Sequence, residues 1–498
     1  MPLQVGFGVK GESEIAVKSG LEVIDRFGHI SDQEYIMLKI DFENAFNMVD
    51  RSAFLRKVRL SFPKMYNWVH LLYSQNSFLL FGDKIIQSAC GVQQGDPLGP
   101  FLFSLVLQDI PEDLDELVDL LVNIFYLDDG TFVGKADDIL KVIEIVQKLG
   151  QDRGLFLNIS KCEIFWPSGI DQSVIDKFPS DIRVNREEGT ELLGAPISTS
   201  ENYIQNFVLE KVNKVKDAHT KLLTLKDAQM SYLLLKFCLN ISKLSYVLRV
   251  VDPIFKISDI LKSFDVSLHK TMEHILATPI DSLSWRQAIL PVRLGGLGLQ
   301  SAELVHDVAH FASNVMNFEN VKKILGKKSL SLNEDFLVAA FEKLSVQNMS
   351  YNDCFSSSSS SIQKKIMDIR YQSKVQELFI IHEGDERSSA RLRSCSMKGS
   401  GSFLHAVPNE HLATKMYNRE FQFAVAYRLG LPVNLSKNVC SMPNCSQSVD
   451  KYGDHALSCG YGGDRIYRHN ALRDSIFHLL RKVGFDAKLE KKRLIVKF

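Results

Sequence analysis

The sequence predicts an α+β fold, and three observations carry that reading. Apolar residues run into Asp128-Asp129-Gly130, and a second β-rich run, Thr131–Gly134, follows at once. Asp-Gly between two such runs predicts a β-hairpin. Tyr35–Ile40 is a further, buried strand candidate, and it ends on Asp41. Much of the remaining chain has helical period, as in Glu14–Phe27, Ala136–Leu149 and most of 201–280.

Composition sets the outer limits. A chain of 498 residues is long enough for about two to four domains with real cores. Lys plus Arg and Asp plus Glu each total 59, so net charge is no whole-chain evidence for a polyanionic partner. Any such surface must be local. The longest apolar run, Leu98–Leu107, is too short to span a bilayer, so no membrane association is expected. The N-terminus lacks a basic-then-apolar signal pattern. Together with dispersed cysteines, that predicts an intracellular protein of the nucleus or cytoplasm.

Taken in order, Gly6, Gly8 and Gly11 predict a loop ahead of the first helix. Their Gly-x-Gly-x-x-Gly spacing has no strand before it, which argues against a dinucleotide site. After Asp41, the string Phe42-Glu43-Asn44-Ala45-Phe46 leads into a helix to about Leu60. A carboxylate at the C-terminal end of a strand sits where α/β proteins bind ligands. Alone, it reads better as a helix cap. Asn67–Gln87 reads as a helix and then an extended segment. Gly and Pro in Gly91–Pro100 force an irregular loop, with an apolar helix from Leu98 onward. Exposed amides at such a junction suit a phosphate or a base-paired strand.

Beyond the Asp-Asp hairpin, Gly154–Cys162 reads as a turn and a strand. Glu191–Ile197 reads as a strand bent at Gly194. The glycines of Leu290–Leu299 are read as turns. Ser356–Ser361 is a low-complexity loop, and the Ser-, Arg- and Gly-rich residues 385–402 read as a linker. Asn409–Gly430 and Ile466–Val483 read as helices.

Five stretches in this order, Asp41–Phe46, Gly91–Pro100, Tyr126–Asp129, Gly154–Cys162 and Leu192–Ile197, resemble the palm motifs of reverse transcriptases. The wording is most similar to non-LTR (LINE-like) retrotransposon enzymes, over residues 30 to 200. The resemblance implies a right-hand polymerase palm, a ferredoxin-like antiparallel sheet with helices. It implies RNA-directed DNA polymerase activity, with an RNA template, a DNA primer and dNTPs as partners. Asp41, Asp128 and Asp129 would then hold two catalytic Mg²⁺ ions about 4 Å apart, with the Phe42 carbonyl as an extra ligand. Phe46 stands where the family blocks a ribose 2′-OH; its alternative is a core residue. Gln94 and Gly95 would contact the incoming nucleotide and template. Lys161 matches a candidate proton donor to pyrophosphate, or is simply an exposed strand-end lysine. Leu193 and Gly194 match the primer grip.

Cys440-x4-Cys445-x9-His455-x3-Cys459 is a second constellation. Soft and borderline ligands in two close pairs, with turns at Pro443 and Gly453, meet the needs of a closed, structural Zn²⁺ site. The expected division is palm with partial fingers at 1–200, helical thumb at 201–300 and helical connector at 301–430. A zinc knuckle follows at 431–465, then the start of a C-terminal domain at 466–498. The competing function is a catalytically inactive, nucleic-acid-binding remnant that lacks complete fingers.

Overall fold

Tyr35–Ile40 forms strand β1, with Ile36, Met37 and Leu38 fully buried. In the computed structural model the described residues are 3–28, 35–326, 332, 334–346, 349–354, 362–433, 439–440, 442–461 and 464–489. The serine run at 356–361 lies outside them. The other strands are β2 (Ser77–Phe81), β3 (Lys84–Ser88), β4 (Leu120–Tyr126), β5 (Asp129–Lys135), β6 (Glu163–Phe165), β7 (Arg183–Asn185), β8 (Gly189–Leu192) and β9 (Ala195–Ser198). Five of them make one sheet in the order β4-β5-β1-β6-β7, antiparallel except for the parallel β6–β7 pair. The pairs β2–β3 and β8–β9 are separate ribbons.

The alternation of β1 explains why both faces of the sheet are covered. Ile36, Leu38 and Ile40 join a core with Phe54, Phe103, Phe132, Ile139 and Val142. These come from β5 and from the helices Arg51–Ser61, Gly99–Leu107 and Ala136–Gln151. Met37 points the other way, towards the helix Glu12–Phe27. A Cβ on Gly20 of that helix would come within 3.3 Å of the Met37 methyl, so glycine permits the approach.

The chain divides into two compact units. The first comprises Met1–Ala218, Leu239–Ser267 and Gln300–Arg370, and it contains every strand named above. The second comprises His219–Cys238, Leu268–Leu299 and Tyr371–Phe498, and its described elements are mainly helical. Its core includes Tyr232, Leu235, Leu290, Phe421 and Val425. There the buried Arg428 guanidinium donates to the carbonyls of Gly296 (3.1 Å), Val292 (2.8 Å) and Cys395 (3.1 Å), pinning the Gly295–Gly298 turns. Among the described residues no helix is long and apolar enough to cross a membrane.

Several local expectations need correction. Residues 385–402 are not a linker: Glu386–Cys395 is a helix, capped by Asp385 accepting from the Ser388 amide at 3.1 Å and anchored by buried Leu392 and Cys395. Polar composition hid a two-residue apolar anchor. The helix expected over Asn409–Gly430 begins only at Asn418. The single helix expected after Phe46 is two, Ala45–Met48, which includes Phe46, and Arg51–Ser61, because Asp50 caps the second. Glu191–Ile197 is a tight hairpin, not one bent strand, with Leu193 at φ 47° and Gly194 at φ 82°. Two consecutive positive φ angles make a turn whose twist matches its strands.

Candidate active site

The site grows from the register between β1 and β5. Ile40 pairs with Gly130 and Lys39 with Thr131, so Asp41, one residue beyond β1, arrives beside the start of β5. Tyr126 pairs with Asp129 across the β4–β5 hairpin, leaving Leu127 and Asp128 as its two-residue turn. The turn therefore lies ahead of the expected Asp129-Gly130 step. Leu127 takes the left-handed conformation at φ 55°. Gly130 sits inside β5 for a different reason: a Cβ there would come within 2.6 Å of the Ile40 side chain and 2.9 Å of Phe125.

What holds Leu127 in that conformation is the N-terminal segment, read from sequence only as a loop. Val5 donates to the Phe125 carbonyl and Phe125 to the Leu3 carbonyl, both at 2.8 Å. The Gln4 amide donates to the Leu127 carbonyl and accepts from the Leu127 amide, again at 2.8 Å. A Cβ on Gly6 would meet the Leu127 nitrogen at 2.4 Å, so the turn needs glycine there. A lone glutamine offers no sequence signal for this task.

Three carboxylates converge at this end of the sheet. The pKa of Asp129 is pushed up to about 6, first by the protein mass on its inner side, then by the charges of Asp128 and Asp41. Asp128 is raised for the same reasons, burial first and Asp41 after it. Asp41 Oδ1 is buried with no hydrogen-bond partner among the described residues. Its nearest cation is the largely exposed Lys161, whose Nζ lies 3.8 Å away. Mutually repelling carboxylates with an orphaned buried oxygen fit hard divalent cations. Phe42 is buried, and its segment is fixed to the next loop by Asn158 donating to the Asp41 carbonyl (2.9 Å) and Glu43 to that of Phe156 (2.8 Å). The strand expected within Gly154–Cys162 is instead a turn with one bridge and a short 3₁₀ segment, Ile159–Lys161; β6 starts at Glu163.

Phe46 is half-buried and stacked on Phe103, centroids 4.3 Å apart. The Val92 amide donates to its carbonyl at 2.8 Å, which joins it to the Gly91–Pro100 loop. Gln94 and Gly95 are exposed on that loop, and Gly95 holds φ 91°. Sequence reasoning missed the supports of the loop. Arg51, buried, donates to the Gly91 carbonyl (2.9 Å), the Ser88 carbonyl (2.8 Å) and the Ser88 hydroxyl (2.8 Å). Tyr73 hydrogen-bonds Asp96, and burial followed by that bond pushes its pKa up to about 12.

In the second unit Cys440, Cys445, His455 and Cys459 come together, their ligand atoms all within 4.8 Å of one another. Cys440 Sγ lies 3.8 Å from Cys459 Sγ, and Cys445 Sγ 3.5 Å from His455 Nε2. A tetrahedron with metal–sulfur bonds of about 2.3 Å has sulfur–sulfur edges of about 3.8 Å, so the spacing suits one metal ion. Gly453 supplies the expected turn at φ 84°. Asp450 accepts from the amides of Tyr452 (2.9 Å), Asp454 (3.1 Å) and His455 (2.7 Å), and Arg387 pairs with Asp454.

Comparison with known proteins gives one family match and several distant likenesses. Residues 15–197 match the family described as reverse transcriptase (RNA-dependent DNA polymerase). The 132 kDa protein of the SLACS retrotransposable element of Trypanosoma brucei gambiense is 23% identical over 313 residues, 61% of this chain. The chain spans 25% of that relative's length. Among solved structures, telomerase from Candida albicans, in complex with a fragment of telomeric RNA, covers 64% of this chain and 52% of its own, at 13% identity and TM-score 0.29. Apo telomerase from Candida tropicalis covers 73% of this chain and 56% of its own, at 12% identity and TM-score 0.33. The match covers residues 15–197, which include Asp41, Asp128 and Asp129, and the family it describes uses divalent metal.

Proposed function

We infer that this chain is a reverse transcriptase of the non-LTR retrotransposon family, extending a DNA primer on an RNA template. The carrying observation is the β1–β5 register, which brings Asp41 to Asp128 and Asp129 and leaves a buried carboxylate oxygen without a partner. Two Mg²⁺ ions, when bound, supply Lewis-acid activation of the primer hydroxyl and neutralise charge on the leaving pyrophosphate. Asp41, Asp128 and Asp129 would hold them, with the Phe42 carbonyl as a further ligand.

The chain's own residues do the rest. Gln94 and Gly95 orient the incoming dNTP and the template base from a loop kept rigid by Arg51 and Tyr73. Phe46, backed by Phe103, fills the space a ribose 2′-OH would need. Lys161 protonates the leaving pyrophosphate. Leu193 and Gly194 hold the primer end. Cys440, Cys445, His455 and Cys459 bind a structural Zn²⁺, closed to substrate because all four positions are protein ligands. In the same reading 201–300 is the thumb and 301–430 the connector. The cell interior, nucleus or cytoplasm, is the compartment that keeps these thiols reduced.

The test is primer extension by the purified chain, with dNTPs and Mg²⁺, on an RNA template. The reading expects template-directed DNA synthesis that EDTA stops. Tight nucleic-acid binding with no extension would instead favour the inactive remnant.

A further inference from the structure

Lys39 lies on β1, two residues before Asp41, and plays no part in the chemistry assigned above. Its ammonium donates to the Thr190 hydroxyl at 2.6 Å and to the Glu191 carbonyl at 3.0 Å, and it pairs with Glu163 at 2.8 Å. An ammonium has three donors, so these partners use all of them. Thr190 is buried, and its hydroxyl donates in turn to Glu163 at 2.6 Å. The Asn185 amide donates to the same carboxylate at 3.3 Å. Burial by itself raises Glu163, but the hydrogen bonds from Lys39 and Thr190 outweigh it and hold its pKa below the ordinary carboxylate value.

The geometry gives this cluster a task. The β8–β9 ribbon shares no ladder with the five-stranded sheet, so no backbone pairing sets its place relative to Asp41. Apolar contact with the Glu12–Phe27 helix is non-directional and permits sliding. Charge-assisted hydrogen bonds are directional, and those of Lys39 reach from the strand that leads into Asp41 to Thr190 and Glu191. Those two residues immediately precede the Leu192–Ala195 pair that closes the Leu193–Gly194 turn. On the far side, Lys211 pairs with the Glu191 carboxylate at 3.6 Å.

We propose that Lys39 is a positioning residue that sets the distance between the Leu193–Gly194 turn and Asp41, and so aligns the primer end with the catalytic carboxylates. The proposal rests on the polymerase reading. Reacting groups must be placed to well within an ångström, because displacements of that order cost about a hundredfold in rate. A brace shared by the grip and the catalytic strand moves both together. A plain surface ion pair would contribute only to stability.

The experiment uses the full chain as wild type, Lys39→Met, Thr190→Val, the double variant and Lys39→Arg. Extension is measured with primer–template titrated and, separately, with dNTP titrated. A positioning role raises the KM for primer–template about tenfold in Lys39→Met, as expected for a lost charge-assisted bond, and leaves the KM for dNTP within about twofold. Lys39→Arg recovers part of the loss. The double variant is no worse than the worse single one, because both remove the same contact. A loss of kcat that only tracks a smaller folded fraction, with both KM values unchanged, means fewer folded molecules, and it overturns the proposal. Should Lys39→Met melt below the assay temperature, Thr190→Val, which keeps the ion pair with Glu163, carries the same KM comparison. A wild-type chain without extension removes the polymerase reading itself, a failure visible before any variant is compared.

Discussion

At the scale of single residues, the carboxylates that converge were readable from the sequence, and their supports were not. Adjacent carboxylates after an apolar run identified Asp128 and Asp129; nothing in the sequence pointed to Gln4 as the clamp on Leu127. Glutamine is common, and the two bonds it makes with Leu127 are to distant backbone. Asp129 carries a pH prediction. Its folded pKa is raised to about 6, against about 3.9 for an unfolded aspartate. The folded chain therefore binds the proton more readily. Without metal the ionised group destabilises the fold above about pH 6, and stability recovers as pH falls through that value. In EDTA at neutral pH, Asp129→Asn should melt higher than wild type, with the gap closing towards pH 4; equal melting at both pH values would count against the electrostatics. Phe46 carries a second prediction. Phe46→Val opens the space beside Phe103, so the preference for dNTP over rNTP should fall by ~10-fold or more. An unchanged ratio would leave Phe46 as a core residue alone.

At the scale of elements, strands with strong apolar runs were read correctly and turns were misplaced. Tyr35–Ile40 came out with its observed bounds. The hairpin turn was expected at Asp129-Gly130 because that pair favours turns, yet it falls at Leu127-Asp128. Tertiary clamping by residues 3–6 overrides local preference there. The helix Glu386–Cys395 was missed for a related reason, since its anchor is two side chains and a cap in a Ser- and Arg-rich run. The gathering of Cys440, Cys445, His455 and Cys459 is the opposite case, because ligand spacing is local and chemically specific. Its residues build little apolar core, so bound metal should supply folding free energy on the order of 10 kcal/mol. The full chain should hold one zinc per molecule under reducing conditions, and Cys440→Ser with Cys445→Ser should lose it. Chelation should weaken nucleic-acid binding more than extension on a generic template. A zinc content near zero in the wild type would remove the site.

At the scale of the whole molecule, the three converging carboxylates lie in the first compact unit and the Cys and His cluster in the second. Charge balance over the chain conceals such local clusters, for it sums 59 basic and 59 acidic side chains wherever they lie. The central claim is that three carboxylates brought together by one strand register catalyse nucleotidyl transfer. Asp128 tests it most directly, since it lies on a turn where little packing is at stake. The measurement is Mg²⁺-dependent primer extension on an RNA template by Asp128→Asn beside wild type, with melting curves for both. The account predicts an unchanged melt or a slightly higher one, and a rate lower by about a hundredfold or more. Extension by Asp128→Asn at a rate near wild type would contradict it.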